Sequence, residues 1–502
     1  MLASAEIMFA RERVHAHAVE WMEGVDAGFL YMETPTLHMH TLKVAVLDFS
    51  GIPEGLPLDV MDEELGNRLH LLPPLRKRIL TVPLHFHHPM WLEGEPDIKQ
   101  HIHHHRLPAG STMRQAEELI GEIASTALPR DRPLWEIHII EGLANGHVVV
   151  AAKIHHAVAD GTAANAMLAA VMDTAAGLPL PPPGAPHERP HEDAVPGRLT
   201  LLRIALIAWV VQIATIPQLL AKTARGIRGA MRRRKVATIR PPRPILDAPR
   251  TSFNGAITAR RSFATLSLPL QDFKDVRVAA EVSFNDVVLG VVGGALRMWL
   301  AQKGETVASS LLAGVPVSTE GPGGLERLGG NRVSNLFTTL ATDVADPWER
   351  LQHISAVTDE AKAMQNALGL DLLESWTQFT PPGPFSAAMR GYSKVRGANL
   401  HRPPFNAVVS NVPGPRTYLT MGGVPLEDIF SVGPILEGIG LNITVWSYVD
   451  RMNFSAIACP DTLPDLRGLV DLLPAALAEL QEAATTHAPD VSEATTEATP
   501  PL

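Results

Sequence analysis

The chain has 502 residues, which is enough for two domains of ordinary size. Hydrophobic residues make up 46% and charged residues 19%, as expected of a globular protein with a large buried surface. The formal net charge of -10 argues against nucleic acid as the main partner, and the single cysteine, Cys459, excludes an intramolecular disulfide and a cysteine-based zinc site.

Strand and helix patterns alternate in the first third of the chain. Residues 1–17 carry charges where a signal peptide needs its apolar core, so we predict no secretion. Residues 41–49, 136–142 and 147–154 are predicted strands, and Asn145-Gly146 between the last two indicates a hairpin. Residues 114–128 and 162–176 have the apolar spacing of helices.

Proline-rich stretches at residues 178–196 and 241–249 are typical of linkers and separate this region from a second α/β pattern. There we predict helices at 283–301 and 463–482, with strands at 311–317, 407–411, 441–448 and 452–459. Cys459, at the end of the last strand, is interpreted as a small buried residue. The polar tail from Ala483 is predicted to be disordered.

The motif His155-His156-Ala157-Val158-Ala159-Asp160-Gly161 lies at a predicted strand-to-helix junction, where α/β folds place their chemistry. It supplies a histidine base, a carboxylate four residues later, and a glycine that permits a close backbone approach. Acyl transfer to a hydroxyl needs such a base. The alternative is a pair of hydrogen-bonded, inert histidines at a strand end.

Several further segments accompany this motif in order along the chain. They are Asp26-Ala27-Gly28-Phe29-Leu30, Pro133-Leu134-Trp135-Glu136, Ile140-Glu141-Gly142-Leu143, Asn285-Asp286-Val287-Val288-Leu289, Gly330-Asn331-Arg332, Ser410-Asn411-Val412-Pro413-Gly414-Pro415 and Gly440-Leu441-Asn442-Ile443. Together with the histidine motif, this set resembles the actinobacterial form of the bacterial wax ester synthase/acyl-CoA:diacylglycerol acyltransferase family. That family lies within the superfamily of coenzyme-A-dependent acyltransferases. The resemblance covers roughly residues 20 to 482.

The resemblance implies a role for each matched residue. His156 would be the general base, and His155 would support the loop or line the tunnel. Asp160 would be structural and salt-bridged, and Gly161 would keep the channel open. The remaining implied tunnel or substrate-binding residues are Asn285 (as the oxyanion donor), Asp286, Pro133, Leu134, Trp135, Ser410 and Asn411.

The implied fold is α/β, with two chloramphenicol acetyltransferase-like domains, each a mixed sheet with helices, and a tunnel between them. The expected divisions are residues 1–180 (first acyltransferase half), 181–250 (linker with an apolar and basic helix), 251–485 (second half) and 486–502 (tail). The implied reaction is direct attack of a lipid alcohol on acyl-CoA as co-substrate, without cofactor, metal or acyl-enzyme. The missing Gly-x-Ser-x-Gly elbow agrees with this mechanism.

An apolar segment at residues 199–221 runs into a basic one that ends at residue 235. Its uninterrupted apolar core, residues 204–211, is far shorter than the ~20 residues that span a bilayer. A helix lying on a membrane or lipid-droplet surface fits this pattern, which predicts a cytoplasmic protein at the inner membrane face or on droplets. The alternative is a long helix packed on the protein body with a solvated basic end.

Three other patterns carry less weight. His187-Glu188-Arg189-Pro190-His191 matches a zinc-protease pattern, but Pro190 prevents the required helix. The histidines at 101, 103, 104 and 105 fit alternation along an edge strand better than a metal site. The glycine-rich residues 321–330 lack the lysine and hydroxyl of a phosphate loop and are predicted to be a flexible loop.

Two alternatives to triacylglycerol or wax ester synthesis stay open at this point. One is acylation of a different hydroxyl, such as a complex envelope lipid or a polyketide. The other is a catalytically silent protein that binds lipid or coats droplets.

Overall fold

The computed structural model describes residues 19–51, 58–174, 195–320 and 327–487. Up to residue 236 the elements are β1 (Val19–Trp21), α1 (Gly24–Met32), β2 (His40–Asp48), α2 (Leu58–Arg68), β3 (Lys77–Leu80), β4 (Met90–Glu93), β5 (Ile102–Ser111), α3 (Met113–Ala124), β6 (Trp135–Leu143), β7 (His147–His155), α4 (Gly161–Val171), β8 (Asp173–Thr174) and α5 (Arg198–Val236). Beyond it they are β9 (Ser262–Pro269), α6 (Leu270–Ala280), α7 (Phe284–Gln302), β10 (Leu312–Ser318), β11 (Val333–Thr339), α8 (Pro347–Leu368), α9 (Leu372–Thr377), α10 (Pro382–Lys394), β12 (Ala407–Val412), β13 (Leu419–Met421), β14 (Val424–Val432), β15 (Leu441–Tyr448), β16 (Arg451–Ala458), α11 (Leu466–Val470) and α12 (Leu473–His487).

The first large sheet has seven strands in the order β5-β6-β7-β2-β14-β13-β8. β6 and β7 form the predicted antiparallel hairpin, with Gly146 at φ +76° in its turn. β5, which carries His103 to His105, is an edge strand, as its alternation predicted. The described residues contain no group of His, Cys, Asp or Glu side chains arranged to hold a metal ion.

The second large sheet has six strands in the order β11-β10-β12-β15-β16-β9. β12 runs parallel to both of its neighbours, and the other pairs are antiparallel. α7 packs in the main apolar core beside this sheet, where most of its residues from Val287 to Leu300 are buried. Both large sheets are therefore mixed, as the sequence analysis expected.

The two large sheets do not divide the chain into two successive halves. β13 and β14 follow β12 in the second half, yet they lie in the first sheet, where β14 pairs with β2 from Leu42 to Leu47. The apolar alternation of β14 matches that of β2, so Phe430 and Val432 join the core beneath the first sheet. The second half therefore supplies two strands of the first sheet.

Helix ends differ from the sequence expectations in four places. α4 ends at Val171, and Asp173–Thr174 form the strand β8, so the expected helix to residue 176 is too long. α3 ends at Ala124, where the Ser125 side chain bonds back to the Gly121 carbonyl, and the expected helix to residue 128 is too long. The predicted helix 463–482 is two helices, α11 and α12. α12 continues to His487 with Ala483 and Ala484 buried, so the expectation of disorder from Ala483 is wrong at its start.

α5 is one helix of 39 residues that includes Pro217. Glycines let its second half approach α8 closely, since a Cβ at Gly226 would lie 2.2 Å from the Leu368 carbonyl oxygen. Much of its other surface is exposed. By length and composition alone, α5 and α7 could cross a membrane, but the most apolar window is 72% buried in α7 and only 11% buried in α5. From the sequence, the uninterrupted apolar core of this segment is too short to span a bilayer. The whole helix, in contrast, is long and apolar enough by these two criteria.

Residues 178–194 of the predicted linker at 178–196 lie outside the described residues, and so does the pattern at His187 to His191. So do residues 321–326 of the predicted glycine-rich loop and the tail beyond residue 487.

Candidate active site

The histidine motif links β7 to α4 through a short turn. β7 ends at His155, and Asp160 caps the N-terminus of α4 by accepting a hydrogen bond from the Ala163 amide at 2.9 Å. Gly330, from the second half, pairs with the turn, because its amide donates to the Val158 carbonyl at 2.7 Å. The candidate site is therefore built from both halves of the chain.

Among the described residues, His156 is held through one ring nitrogen. Its Nδ1 lies 2.9 Å from Oδ1 of Asn331. The Asn331 amide nitrogen donates to Asp26 Oδ1 at 2.8 Å and to the His156 carbonyl at 2.7 Å, which fixes the orientation of the amide. Oδ1 can only accept, so Nδ1 of His156 carries the proton and Nε2 carries the lone pair.

The surroundings of His156 keep its ring neutral. Burial lowers the pKa of His156 from 6.5 to about 4, and the negative charge of Asp160 opposes that shift. Phe29 of α1 stacks on the ring, with centroids 4.2 Å apart. A neutral, oriented imidazole with a free Nε2 is the form that a general base requires.

His155 is held through both ring nitrogens. Its side chain is buried, and Nε2 lies 3.2 Å from a carboxylate oxygen of Glu33, to which it donates. Nδ1 accepts a hydrogen bond from the Ala157 amide at 3.0 Å. With no free lone pair, His155 supports the turn and is the weaker candidate for the base.

Asp160 makes three contacts that all stabilise the structure. Besides capping α4, it forms a salt bridge with Arg327 at 2.7 Å and accepts from the Arg332 amide at 2.8 Å. Both partners belong to the second half. These contacts match the implied salt-bridged role and tie the motif to residues 327–332.

Gly161 lies against the end of β12. A Cβ at Gly161 would lie 3.3 Å from Cγ2 of Val412, and Asn165 of α4 donates to the Pro413 carbonyl at 3.2 Å. Ser410 and Asn411 precede Val412 on β12. The structure thus brings the segment from Ser410 to Pro413 beside the start of α4.

Pro133, Leu134 and Trp135 are buried behind the motif. The Leu134 carbonyl accepts from the His155 amide at 3.0 Å. The Trp135 indole donates to the Leu75 carbonyl at 2.7 Å and stacks on His101. This segment therefore holds β6 against the end of β7.

Asn285 and Asp286 begin α7. The Asp286 carboxylate accepts from the amide and hydroxyl of Ser283 at 3.0 and 2.6 Å, completing a capping box, and the Ser355 hydroxyl is a further donor at 3.1 Å. Asn285 is partly exposed, and its side chain has no hydrogen bond within the described ranges. No described contact joins either residue to His156.

Four residues around the histidines were not among the predicted site residues. They are Asp26, Phe29, Glu33 and Asn331. Three of them stand in segments that carried the family resemblance, 26–30 and 330–332, so those segments were the available signal. Glu33 had none, because only the fold places it beside His155.

An apolar cavity of about 130 Å³ lies between the first sheet and α4. One wall is the face of β7 formed by Val150, Ala152 and Ile154, and this strand ends at the motif. The other is the face of α4 formed by Ala164, Met167, Leu168 and Val171, which leads away from it. The motif joins these two walls at one end. Trp135 and Trp446 also line the cavity.

Comparisons with known proteins agree with this geometry. The catalytic-domain model of the wax ester synthase/diacylglycerol acyltransferase family matches residues 22–288, and its C-terminal-domain model matches residues 329–481. A provisionally named diacylglycerol O-acyltransferase of Mycobacterium tuberculosis is 40% identical over 451 residues, covering 88% of this chain and 92% of the relative. A second from that species is 34% identical, covering 93% of this chain and 91% of the relative.

Two solved structures extend the comparison. The wax ester synthase/diacylglycerol acyltransferase of Marinobacter aquaeolei VT8 aligns with a TM-score of 0.61 and 25% identity, covering 93% of this chain and 100% of that one. The first condensation domain of the calcium-dependent antibiotic synthetase shares the fold, with a TM-score of 0.56 and 18% identity over 95% of this chain and 99% of that one. The chain is therefore an acyltransferase and belongs to the wax ester synthase/diacylglycerol acyltransferase family.

Proposed function

We propose that this acyltransferase moves a long-chain fatty acyl group from acyl-CoA to the free hydroxyl of diacylglycerol, forming triacylglycerol, with fatty alcohols as a second class of acceptor. The observation that carries the proposal is the oriented His156, whose Nδ1 is held by Asn331 while Nε2 has no hydrogen-bond partner in the part of the chain that the structure describes. The names of the M. tuberculosis and Marinobacter relatives support the choice of acceptors.

In the proposed mechanism, Nε2 of His156 takes the hydroxyl proton as the alcohol oxygen attacks the thioester carbonyl. The tetrahedral intermediate then breaks its C–S bond, and the imidazolium returns the proton to the departing coenzyme A sulfur. Asp160 favours the imidazolium, because its negative charge raises the pKa of His156. The oxyanion donor in this proposal is Asn285, whose amide is not engaged by any described residue.

A direct transfer needs no nucleophilic side chain, metal or organic cofactor, and acyl-CoA acts as co-substrate. The only cysteine of the chain, Cys459, is a poor candidate for a nucleophile. It is fully buried and lies beside Thr258, in the region where β9 and β16 meet α3. The two carboxylates nearest to the histidines, Asp160 and Glu33, are already paired with Arg327 and Arg130.

The acyl chain, in this proposal, lies in the apolar cavity between β7 and α4. β7 rises about 3.3 Å per residue, so Val150, five residues before His155, lies about 17 Å from the motif. That depth is comparable with an extended long-chain acyl group. The cavity walls are mostly apolar, with Lys43 and Arg68 as their charged residues, which favours an alkyl chain over a polar substrate.

We further propose that α5 holds the enzyme on a membrane or lipid-droplet surface at the cytoplasmic side. Its outward face exposes a row of large apolar side chains, Leu206, Val210, Ile213 and Leu220, and its C-terminal part is basic. Trp209, beside this row, donates to the Phe86 carbonyl, and Arg233, on the opposite face, pairs with Glu360. A helix bound to the protein along its length favours surface contact over spanning.

The test measures release of free coenzyme A from palmitoyl-CoA with diacylglycerol or hexadecanol in separate reactions, using wild type and His156→Ala. We expect acceptor-dependent release that the substitution abolishes, since the general base is lost. His155→Ala is the matched variant and should mainly lower stability. Equal release by wild type and His156→Ala would overturn the mechanism, and release only with another hydroxyl would overturn the acceptor. No release with any lipid alcohol would favour a lipid-binding role.

A further inference from the structure

A second, larger cavity lies beneath α5, away from the histidine motif. Its volume is about 910 Å³, and it is a partly open cleft between one face of α5, the β1–α1 junction and α9. α5 contributes apolar side chains at helical spacing, including Ile204, Ala208 and Val211, and the body contributes Trp21 and Phe379. This volume is in the range of a site for a small organic molecule.

Polar atoms on the wall of this cavity lack partners. His87 is only 8% exposed, and its Nδ1 has no hydrogen-bond partner among the described residues. Oε1 of Gln212, on α5, is likewise buried and makes no well-aligned hydrogen bond in the described chain, although the Gln212 side chain lies close enough to His87 to raise the pKa of that ring. Both residues line the cavity. Buried polar atoms left unpaired are costly, so they point to a ligand that supplies a hydrogen bond.

Most charges around the cavity are neutralised in ion pairs, and Arg225, which lines its exposed part, donates to the Ala221 carbonyl. Glu20 pairs with Lys77 at 2.5 Å, Glu23 with Arg332 at 2.6 Å, and Lys222 with Asp371 at 2.5 Å. Burial also lowers the pKa of His87 to about 4, so its ring is neutral. An apolar wall with a few neutral hydrogen-bonding atoms fits a hydroxyl on an alkyl-bearing molecule better than a fatty acid or a phosphate.

The cavity lies between the lipid-facing helix and the catalytic histidine. The outward face of α5 exposes apolar side chains, and its inward face lines the cavity. On the other side stands α1, where Tyr31 donates to His88 at 2.6 Å on the cavity wall. The same helix carries Asp26, which bonds Asn331, and Phe29, which stacks on His156. One helix therefore separates the cavity from the catalytic ring.

From these observations we propose that the cavity beneath α5 is a second lipid site, which takes a neutral lipid alcohol of the diacylglycerol class from the membrane surface and holds it next to α1. The proposal rests on the acceptor class assigned above, and it assigns to that acceptor a place separate from His156. The hydroxyl would bond to Gln212 and His87, and the acyl chains would lie along the apolar face of α5.

The experiment uses the full-length protein with phosphatidylcholine vesicles that contain a diacylglycerol bearing a photoreactive diazirine. We expect crosslinks on the cavity wall, at residues such as Trp21, Gln212 and Phe379. Ala208→Trp, which fills the cavity, should abolish them. Ala224→Trp places the same side chain on an exposed position of the same helix that does not line the cavity, and it should keep them. The same crosslinks in Ala208→Trp would overturn the proposal.

Steady-state kinetics give a second readout. Ala208→Trp should raise the KM for dioleoylglycerol by about tenfold, the effect of losing one or two hydrogen bonds with the packing around them, and should leave kcat nearly unchanged. Gln212→Met removes the polar atoms at similar volume and should act in the same direction, which covers the case in which Ala208→Trp does not fold. An unchanged KM in a folded variant would count against the site.

His156→Ala separates this inference from the proposed function. The substitution should stop acyl transfer and leave the crosslinks in place, because the cavity does not include His156. Crosslinks without any acyl transfer in the wild type would retain the lipid site and overturn the proposed function. A diazirine fatty acid that labels the same wall as strongly would overturn the assignment to an alcohol.

Discussion

At the residue scale, the pair of histidines is distinguished by what each ring nitrogen contacts. His155 uses both nitrogens, on Glu33 and on the Ala157 amide. His156 uses one nitrogen, and Asn331 acts on it as a positioning residue. The proton on Nδ1 depends on a chain of hydrogen bonds from Asp26 through Asn331. If His156 is the base, as we propose, we expect catalysis to depend on Asn331, a residue that has no chemical step of its own.

Asn331→Ala tests this arrangement. Without the acceptor, the His156 ring can rotate and place its proton on either nitrogen, so we expect kcat to fall by about 10- to 100-fold, a part of what general-base catalysis contributes. The KM for palmitoyl-CoA should change little. Asn335→Ala is the matched control, because Asn335 is exposed on β11 and its side chain has no hydrogen bond in the described chain. Equal kcat values for the two variants would contradict the role of Asn331.

The pH profile of the same enzymes gives an independent readout. Because burial lowers the pKa of His156 to about 4, kcat/KM of the wild type should stay level as the pH falls through ~6.5, where an ordinary histidine gains its proton, and should decline only near the lower value. The Asn331 bond raises this pKa, so Asn331→Ala should not move the decline to higher pH. A decline near ~6.5 in the wild type would assign the base elsewhere.

At the element scale, the strand before the motif and the helix after it form the two long walls of one apolar cavity. β7 precedes the turn, and Val150, Ala152 and Ile154 on one of its faces line the cavity. α4 follows the turn, and its apolar face lines the other side of the cavity. The position of a side chain on β7 therefore sets its depth in the cavity. Ala152 lies about 10 Å from the motif, and Ala45, in register with Val150, lies about 17 Å from it.

Filling the cavity at these two depths should limit the length of the acyl chain. We expect Ala152→Phe to lower kcat/KM for palmitoyl-CoA by at least about tenfold relative to octanoyl-CoA, since burying an alkyl chain contributes ~0.8 kcal/mol per methylene. Ala45→Phe, at the deeper position, should accept longer chains than Ala152→Phe. Competition between acyl-CoA substrates of graded length measures both. A uniform loss for all lengths in folded variants would show that the chain lies elsewhere.

Some of these elements follow from the sequence, because local signals define them. Asn145-Gly146 predicts the β6–β7 hairpin, and Ser283 with Asp286 begins α7 through a capping box. The rest depends on contacts between distant residues. Asn331 meets His156 across 175 positions and Glu33 meets His155 across 122, and β14 adds to β2 from the other half of the chain. Local propensity and periodicity carry no information about such pairs, whereas the motif set of a family does.

At the scale of the whole molecule, α5 lies between an exposed apolar surface, which we propose contacts lipid, and the body that carries the histidine motif. Its outward apolar side chains include Leu206, 55% exposed, and Val210, 64% exposed. Its basic end adds attraction to anionic lipids, which salt weakens. The enzyme should therefore bind vesicles through α5 and bind anionic vesicles more tightly at low ionic strength.

The double variant Leu206→Glu/Val210→Glu tests this surface. We expect co-sedimentation with anionic vesicles to weaken by at least about tenfold, because inserting an aliphatic side chain contributes about 1.5–3 kcal/mol and a buried carboxylate opposes insertion. Val278→Glu is the control, since Val278 is 71% exposed on α6. Vesicle binding by the double variant at the wild-type level would exclude α5 as the membrane contact.

The two strands that the second half adds to the first sheet also affect how the protein is made. On the ribosome, β2 emerges early, but its neighbour β14 is complete only when residue 432 has been synthesised. From residue 174, at the end of β8, that takes 258 further residues, or roughly 10 to 50 s at bacterial elongation rates. During this time the backbone of an apolar strand has one unpaired edge, which is a template for intermolecular pairing. We therefore expect the nascent first half to need protection from aggregation, because the first sheet closes only near the end of translation.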